Sequence, residues 1–383
     1  MKKNRLILSI SIGITLLALS GCGSSNDLSS ANLSADDNNT VAQKKVILGE
    51  KLFRDKNLSL SRTISCATCH DLEQATIDSR ADAMVGAGLK DENFSRSDRN
   101  APTIGYALFS PNFQYHNDKE VHIGGQLHDG RATDLQAQVK VFFLKSAPIE
   151  TYIERIREND DTINEFKDIY GDEIFENYEL AFEAISDSIA TFEKSDIFAP
   201  FDSKYDYFLA GEESLTTLEE EGRKLFEGKC SSCHPGKSYD GSKIVFTNYK
   251  YYNLGVPVNH PLRAVNGKGE GVVDNGLGAI LDDAQFDGEF KVATLRNIAV
   301  SSPYMHNGLF KELKTVVHFH NSRDVEGSIN PETNTTWEIG EVEWNKNTDK
   351  IGNLGLSDAQ ENAIVAFLKT LTDSKFEHLI PTN

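Results

Sequence analysis

Two pentapeptides govern how the chain is read: Cys66-Ala67-Thr68-Cys69-His70 and Cys230-Ser231-Ser232-Cys233-His234. C-x-x-C-H is the attachment signature of a c-type haem. Two thiols three positions apart on one helical turn reach both vinyl groups of a single porphyrin, and the next residue turns its imidazole beneath the iron. One four-cysteine zinc site or two redox-active cysteine pairs would use the same thiols, but neither calls for a histidine after both motifs. Two covalent haems are expected, one on Cys66, Cys69 and His70 and one on Cys230, Cys233 and His234.

Outward from the motifs the chain repeats itself. Gly49-Glu50-Lys51-Leu52-Phe53 precedes the first and Gly222-Arg223-Lys224-Leu225-Phe226 the second. Each half ends in an apolar pattern of helical period, Leu180, Ala184, Ile185, Ile189 and Phe192 in one and Ile364, Phe367, Leu368 and Leu371 in the other. Ser357 and Gln360 form a capping box that starts the last helix. A helix before the motif packed on a helix closing the unit is how a small cytochrome c domain covers its haem. The expected fold is mainly α: two cytochrome c-like domains, residues 45–200 and 201–383, each with one covalently attached haem, plus long loops. The halves meet near Ala199-Pro200-Phe201. Strand signals are sparse, and Asn253 to Asp287 reads as a long loop of the kind that lines sites.

The N-terminus carries export information. Lys2, Lys3 and Arg5, the apolar stretch Leu6 to Leu19 and the closing Leu19-Ser20-Gly21-Cys22 read as a signal peptide over residues 1–21. Cysteine after two small residues resembles a bacterial lipobox, so Cys22 is expected to carry a lipid and residues 22–44 to act as a flexible tether. Gly23, rather than aspartate, follows the cysteine, which points to the outer membrane and a periplasmic protein. No later apolar run approaches the ~20 residues that a spanning helix requires, leaving the lipid as the sole membrane contact. The 383 residues suit about two domains, and 39% hydrophobic with 25% charged residues excludes disorder throughout. Lysine and arginine total 39 against 58 acids, a formal charge of -19. Such a surface repels phosphate backbones, so nucleic-acid binding is not expected.

Further segments resemble those of bacterial di-haem cytochrome c peroxidases and their MauG-type relatives: Arg99-Asn100-Ala101-Pro102-Thr103, Gly124 to Arg131, Thr294-Leu295-Arg296-Asn297, and Pro303-Tyr304-Met305-His306-Asn307-Gly308. The resemblance covers roughly residues 45 to 375. It implies a peroxide site at the N-terminal haem, electron entry at the C-terminal haem, and calcium between the domains. Carried onto this chain, His70 becomes the proximal ligand of the peroxidatic haem, with Gln138 and Glu150 in its distal pocket. A carboxylate there can take a proton from the bound peroxide oxygen and deliver one to the leaving oxygen; Gln138 can orient or hydrogen-bond. The bland reading of Glu150 is a solvated surface acid. Gly86 stands where many relatives have a second, blocking histidine, and no histidine occurs between His70 and His116. The first haem is therefore expected to stay open, unless His116 or His122 swings in.

For the second haem the resemblance makes His234 the proximal ligand and puts the sixth-ligand position, methionine or tyrosine in the family, at His320. Met305 and His318 are the rivals. Histidine in place of methionine lowers the expected potential. His128 stands where the family has a tryptophan between the haems, so electrons would tunnel directly or use Tyr115 or Tyr304. Asn100, Ser301 and Pro303 match the calcium contacts, oxygen ligands suited to that ion. The leading expectation is reduction of hydrogen peroxide with electrons from a small c-type cytochrome or a cupredoxin. The alternatives are a MauG-like oxidase of a partner protein and a non-catalytic di-haem electron carrier. The resemblance also allows a homodimer.

Overall fold

Helix α1 (Val41–Arg54) starts at a capping box in which the Thr40 side chain accepts from Gln43 N and the Gln43 side chain accepts from Thr40 N. The box fixes residues 41–44 as the helix's first turn, so the tether expected over 22–44 gives way to helix at Val41. The computed structural model describes residues 40–80, 99–237, 243–266, 269 and 271–382. The expected signal peptide, Cys22, most of the tether and Gly86 lie outside these residues. Those described fall within one compact unit, Asn38–Asn383.

In the first half α1 is followed by α2 (Cys66–Cys69), α3 (Leu135–Ser146), α4 (Ile149–Ile156), α5 (Asp160–Tyr170) and a closing helix, α6 (Tyr178–Glu193). The second half holds α7 (Lys204–Ala210), α8 (Thr217–Lys229), α9 (His260–Asn266), α10 (Leu277–Leu281), α11 (Leu313–Ser322) and α12 (Asp358–Lys369). Strands occur among the described residues as three short antiparallel ribbons: β1 (Gln114–His116) with β2 (Val121–Ile123), β3 (Tyr251–Tyr252) with β4 (Phe290–Lys291), and β5 (Ile329–Asn330) with β6 (Thr335–Thr336). The fold is mainly α, as the sequence implies. The stretch 253–287, read as loop, contains α9 and α10; helices of seven and five residues are too short to show a repeated apolar period.

The internal echo marks a repeated helix crossing. In the first half α1 buries Leu48, Leu52 and Phe53 against Ile185, Ile189 and Phe192 of α6, with the Phe53 and Phe192 rings edge-on at 5.4 Å. Leu180, placed in this stripe by periodicity, is instead 56% exposed; the buried stripe begins at Ala181. In the second half α8 packs on α12, and the expected Ser357–Gln360 capping box is present. Both crossings rest on the echoed glycine. A Cβ on Gly49 would stand 2.0 Å from the Ser188 carbonyl oxygen, and one on Gly222 would stand 1.8 Å from that of Ala363. Only a residue without a side chain lets the backbones approach so closely. Two apolar clusters follow, one around Phe53, Phe143, Phe166 and Phe192 and one around Phe226, Phe246, Phe319 and Phe367.

Polar ties join segments distant in sequence. Arg99 bridges Asp129 and Asp274, each at 2.6 Å, and Tyr106 donates its hydroxyl to Asp373 at 2.5 Å.

Candidate haem-binding sites

Each C-x-x-C-H segment is wound into one turn closed in the same way. His70 N donates to Cys66 O and His234 N to Cys230 O, both at 2.9 Å. The four cysteines are free of disulfides. Burial pushes the Cys66 and Cys230 thiols up to about 12 and Cys69 to about 11. Burial thus disfavours the thiolate at Cys66, Cys69 and Cys230.

The two following imidazoles are hung from the backbone alike. His70 Nδ1 donates to Thr76 O at 3.2 Å and His234 Nδ1 to Phe246 O at 2.8 Å. Holding Nδ1–H on a carbonyl leaves Nε2 as the lone-pair nitrogen, the arrangement of a metal-ligating histidine. Burial lowers both imidazoles, His234 to about 4, which keeps the rings neutral and able to coordinate. His320 on α11 repeats the device, with Nδ1 on the Val316 carbonyl one turn back at 2.8 Å. It is also lowered by burial and lies close enough to His234 for its charge to be felt there. His318 differs: Nδ1 meets Glu361 at 2.8 Å and Nε2 meets Ser322 Oγ at 3.2 Å, so both nitrogens are engaged.

A cavity of about 360 Å³ lies against the second motif, a volume suited to a bound small molecule. Cys230, Cys233, His234 and His320 line it together with Phe226, Val256, Leu313 and Leu368, and Met305 reaches the same wall. These residues fit a c-type haem: thiols for the thioethers, two neutral imidazoles, and apolar walls. The cavity extends past Gln138, His128 and Tyr304 to Asn100, Ser301 and Pro303. Cys66, Cys69, His70 and Glu150 do not line it.

On the cavity wall, Gln138 of α3 has its Oε1 buried and without a hydrogen-bond partner, an acceptor that calls for a donor. Glu150 is exposed in the first turn of α4, whose other side buries Tyr152, Ile153 and Ile156. Sequence reasoning missed Glu193. It is 3% exposed at the end of α6, its Oε2 is unpartnered, burial pushes it up to about 8, and its charge is felt at Cys66. Nothing in the pattern distinguishes an acid that ends an apolar stripe from a solvated one.

Between the motifs, His128 donates Nε2–H to Asn100 O at 3.0 Å, and burial followed by the nearby Arg99 charge brings it to about 4. Its ring is therefore neutral at pH 7. Asn100 donates its side-chain amide to Pro303 O at 2.7 Å, and Ser301 shares their cavity wall. Among the described residues no cluster of three or more His, Cys, Asp or Glu could hold a metal ion, so a cation here would rest on amide and carbonyl oxygens. Tyr304 donates its hydroxyl to Ile298 O at 2.9 Å. Tyr115, His116 and His122 lie on the β1–β2 hairpin, with Tyr115 47% exposed.

Two C-x-x-C-H turns, each with a backbone-anchored imidazole, in a helical chain built on a repeated crossing, define a di-haem c-type redox protein. The family profile described as di-haem cytochrome c peroxidase matches residues 43–214. The chain is 40% identical over 351 residues to the methylamine utilization protein MauG of Paracoccus denitrificans, covering 87% of this chain and 89% of that one. It is 29% identical over 287 residues to the cytochrome c551 peroxidase of Pseudomonas aeruginosa, covering 72% and 71%. The solved diheme peroxidase BthA from Burkholderia thailandensis is similar with a TM-score of 0.77 at 27% identity, covering 88% of each chain. The chain belongs to the di-haem cytochrome c peroxidase and MauG family. It is an oxidoreductase, and its family implies two c-type haems.

Proposed function

We propose that this protein is a periplasmic peroxidase that reduces hydrogen peroxide to water with electrons from a small c-type cytochrome or cupredoxin. The observation that carries the reading is an asymmetry: a second backbone-anchored imidazole, His320, stands beside His234, while residues 71–115 contain no histidine to serve His70. Residues 45–200 form the peroxidatic cytochrome c domain and residues 201–383 the electron-transfer domain. The haems, when bound, would supply the redox chemistry of electron uptake and peroxide reduction.

The chain's own groups do the rest. The four cysteines would tether the haems, His70 and His234 would each ligate one iron, and His320 would supply a further imidazole at the second site. Gln138 orients the bound peroxide through its free amide. Glu150 takes a proton from one peroxide oxygen and returns it to the leaving one. His128, neutral between Asn100 and Arg99, keeps the gap between the sites packed without offering an oxidisable indole. Asn100, Ser301 and Pro303 present neutral oxygens to a calcium ion. Lipidated Cys22 anchors the protein to the outer membrane, and the acidic surface favours basic donors, with rates falling as salt rises.

A second reading, oxidation of a partner protein, is favoured by the 40% identity to MauG, against 29% to the cytochrome c551 peroxidase. The missing indole at His128 weighs against it. One experiment separates the readings: peroxide is added to the holoprotein with a reduced donor cytochrome, for the wild type and Glu150→Gln. Rapid donor oxidation, lost in the variant, supports the peroxidase. Slow donor use with a long-lived oxidised spectrum favours partner oxidation, and no response to peroxide in either protein leaves an electron carrier.

A further inference from the structure

The β1–β2 hairpin lies against the outer side of the cavity wall. Gly124 N donates to Tyr249 O at 3.0 Å, and the Tyr251 hydroxyl donates to Gly124 O at 2.5 Å. The chain then runs directly into Gln126, Leu127 and His128, which line the cavity, as do Tyr249 and Tyr252 on the strand segment opposite. Rings are stacked along this support from solvent inward. Tyr115, 47% exposed, has its centroid 4.8 Å from that of His122. His122 is stacked on Phe113 at 5.6 Å, and Phe113 meets buried Tyr251 edge-on at 6.0 Å. Phe286 closes the other side of His122 at 5.0 Å.

A plain packing role accounts poorly for two features. A ribbon with three residues in each strand does not require a run of aromatic rings reaching Tyr251, next to the cavity-lining Tyr252. In addition, His122 Nδ1 is buried without a hydrogen-bond partner, an arrangement that costs free energy. Burial also lowers His122 from its ordinary value, so a neutral ring rather than a cation sits beside the exposed phenol. A cation there would oppose loss of an electron from Tyr115.

We propose that Tyr115, His122, Phe113 and Tyr251 form a second electron-entry port, through which phenolic reductants at the surface deliver electrons toward the cavity. The port rests on the use of peroxide proposed above and is separate from the docking of a redox-protein donor. Tyr115 passes one electron inward and loses its hydroxyl proton to water, becoming a phenoxyl radical. A phenol, ArOH, at the surface returns one electron and one proton to Tyr115 and leaves as ArO•. His122 and Phe113 are not themselves oxidised; they shorten the gap that the electron tunnels across. Two such events balance one peroxide: H2O2 + 2 ArOH gives 2 H2O + 2 ArO•.

The test uses the holoprotein as wild type, Tyr115→Phe and Phe113→Leu. Three quantities are read after adding peroxide: a freeze-quenched tyrosyl radical signal with spin-trap adducts mapped by mass spectrometry, guaiacol oxidation, and oxidation of a reduced donor cytochrome. The port predicts an adduct on Tyr115 in the wild type. It also predicts that Tyr115→Phe slows guaiacol oxidation about tenfold or more, while donor-cytochrome oxidation stays within about twofold. Phe113→Leu keeps the exposed phenol and still loses most of the adduct. Guaiacol oxidation unchanged in Tyr115→Phe, with cytochrome oxidation intact, overturns the port and leaves the peroxidase standing. Failure of the wild type to consume peroxide with either donor overturns both.

Discussion

Gly222→Ala tests the repeated helix crossing with a single methyl group. The added Cβ would lie 1.8 Å from the Ala363 carbonyl oxygen, 2.5 Å from its carbon and 3.0 Å from Phe367 Cβ. The first two are backbone atoms of α12, so no rotamer change relieves the contact. Restoring even a tight contact moves the helices apart by roughly 1 Å, and such a gap forfeits a quarter to a half of each contact's dispersion energy. The contacts at stake include Phe226 with Phe367 at 5.1 Å and Tyr205 with Phe367 at 5.4 Å between centroids. Overpacking costs typically ~1–3 kcal/mol, and a backbone clash belongs at the upper end. Alanine's better helix propensity returns about 1 kcal/mol, leaving a net loss of about 2 kcal/mol. Gly228 supplies the control on the same helix, because a Cβ there meets nothing within 4 Å; Gly228→Ala should hold or raise stability. The assay is urea unfolding of both variants at matched haem content, followed by far-ultraviolet circular dichroism. A Gly222→Ala midpoint equal to that of Gly228→Ala would refute the close-approach argument.

The other predictions concern charge and coordination. In the holoprotein, His320→Ala should convert the second haem from low to high spin in the visible spectrum, whereas His318→Ala should not, because both nitrogens of His318 are already engaged. Glu193 is raised from 4.5 to about 8 on folding. The folded state therefore holds the extra proton, and Glu193's contribution is greatest below about 4.5, declines by up to ~1.4 kcal/mol per pH unit, and is gone above about 8. Glu193→Gln should remove that slope from stability measured between pH 5 and pH 8; an unchanged slope would assign it elsewhere. Asp274→Asn removes the charge of the Asp274 arm of the Arg99 bridge and should cost about 1–3 kcal/mol, read as a lower thermal midpoint.

Legibility in the sequence tracked how local the physics is. The C-x-x-C-H turns, the Ser357–Gln360 cap and the mainly α character depend on residues within one or two turns of each other, and the structure has them where the sequence places them. The Gly49 and Gly222 echo is visible as a repeat, but that each glycine is the crossing point depends on carbonyls of residues 188 and 363, which no local pattern contains. Leu180 shows the reverse error: periodicity gave it a buried face, but the partner helix does not cover the first turn of α6. Glu193 was illegible for a related reason. An acid is read as solvated unless something marks it, and the burial of Glu193 at the end of α6 is set by tertiary packing that no local pattern contains.

The contrast between the two halves comes down to what is inserted into a shared frame. Both use the same pair of crossed helices, α1 with α6 and α8 with α12, and both anchor the imidazole after the second cysteine by Nδ1 to a backbone carbonyl. Between motif and closing helix, the first half inserts α3, which presents Gln138 with an unpartnered amide oxygen, and the second inserts α11, which presents His320 with Nε2 left available. An amide oxygen is a weak ligand for haem iron but a good acceptor for a bound hydroperoxide, whereas a neutral imidazole is a strong ligand. On the function proposed above, the exchange of one side chain on one inserted helix would separate a site for substrate from a site for electrons within a duplicated frame. On this reasoning the difference between the halves lies chiefly in α3 and α11, since the haem motifs share the turn closure and the Nδ1 anchor.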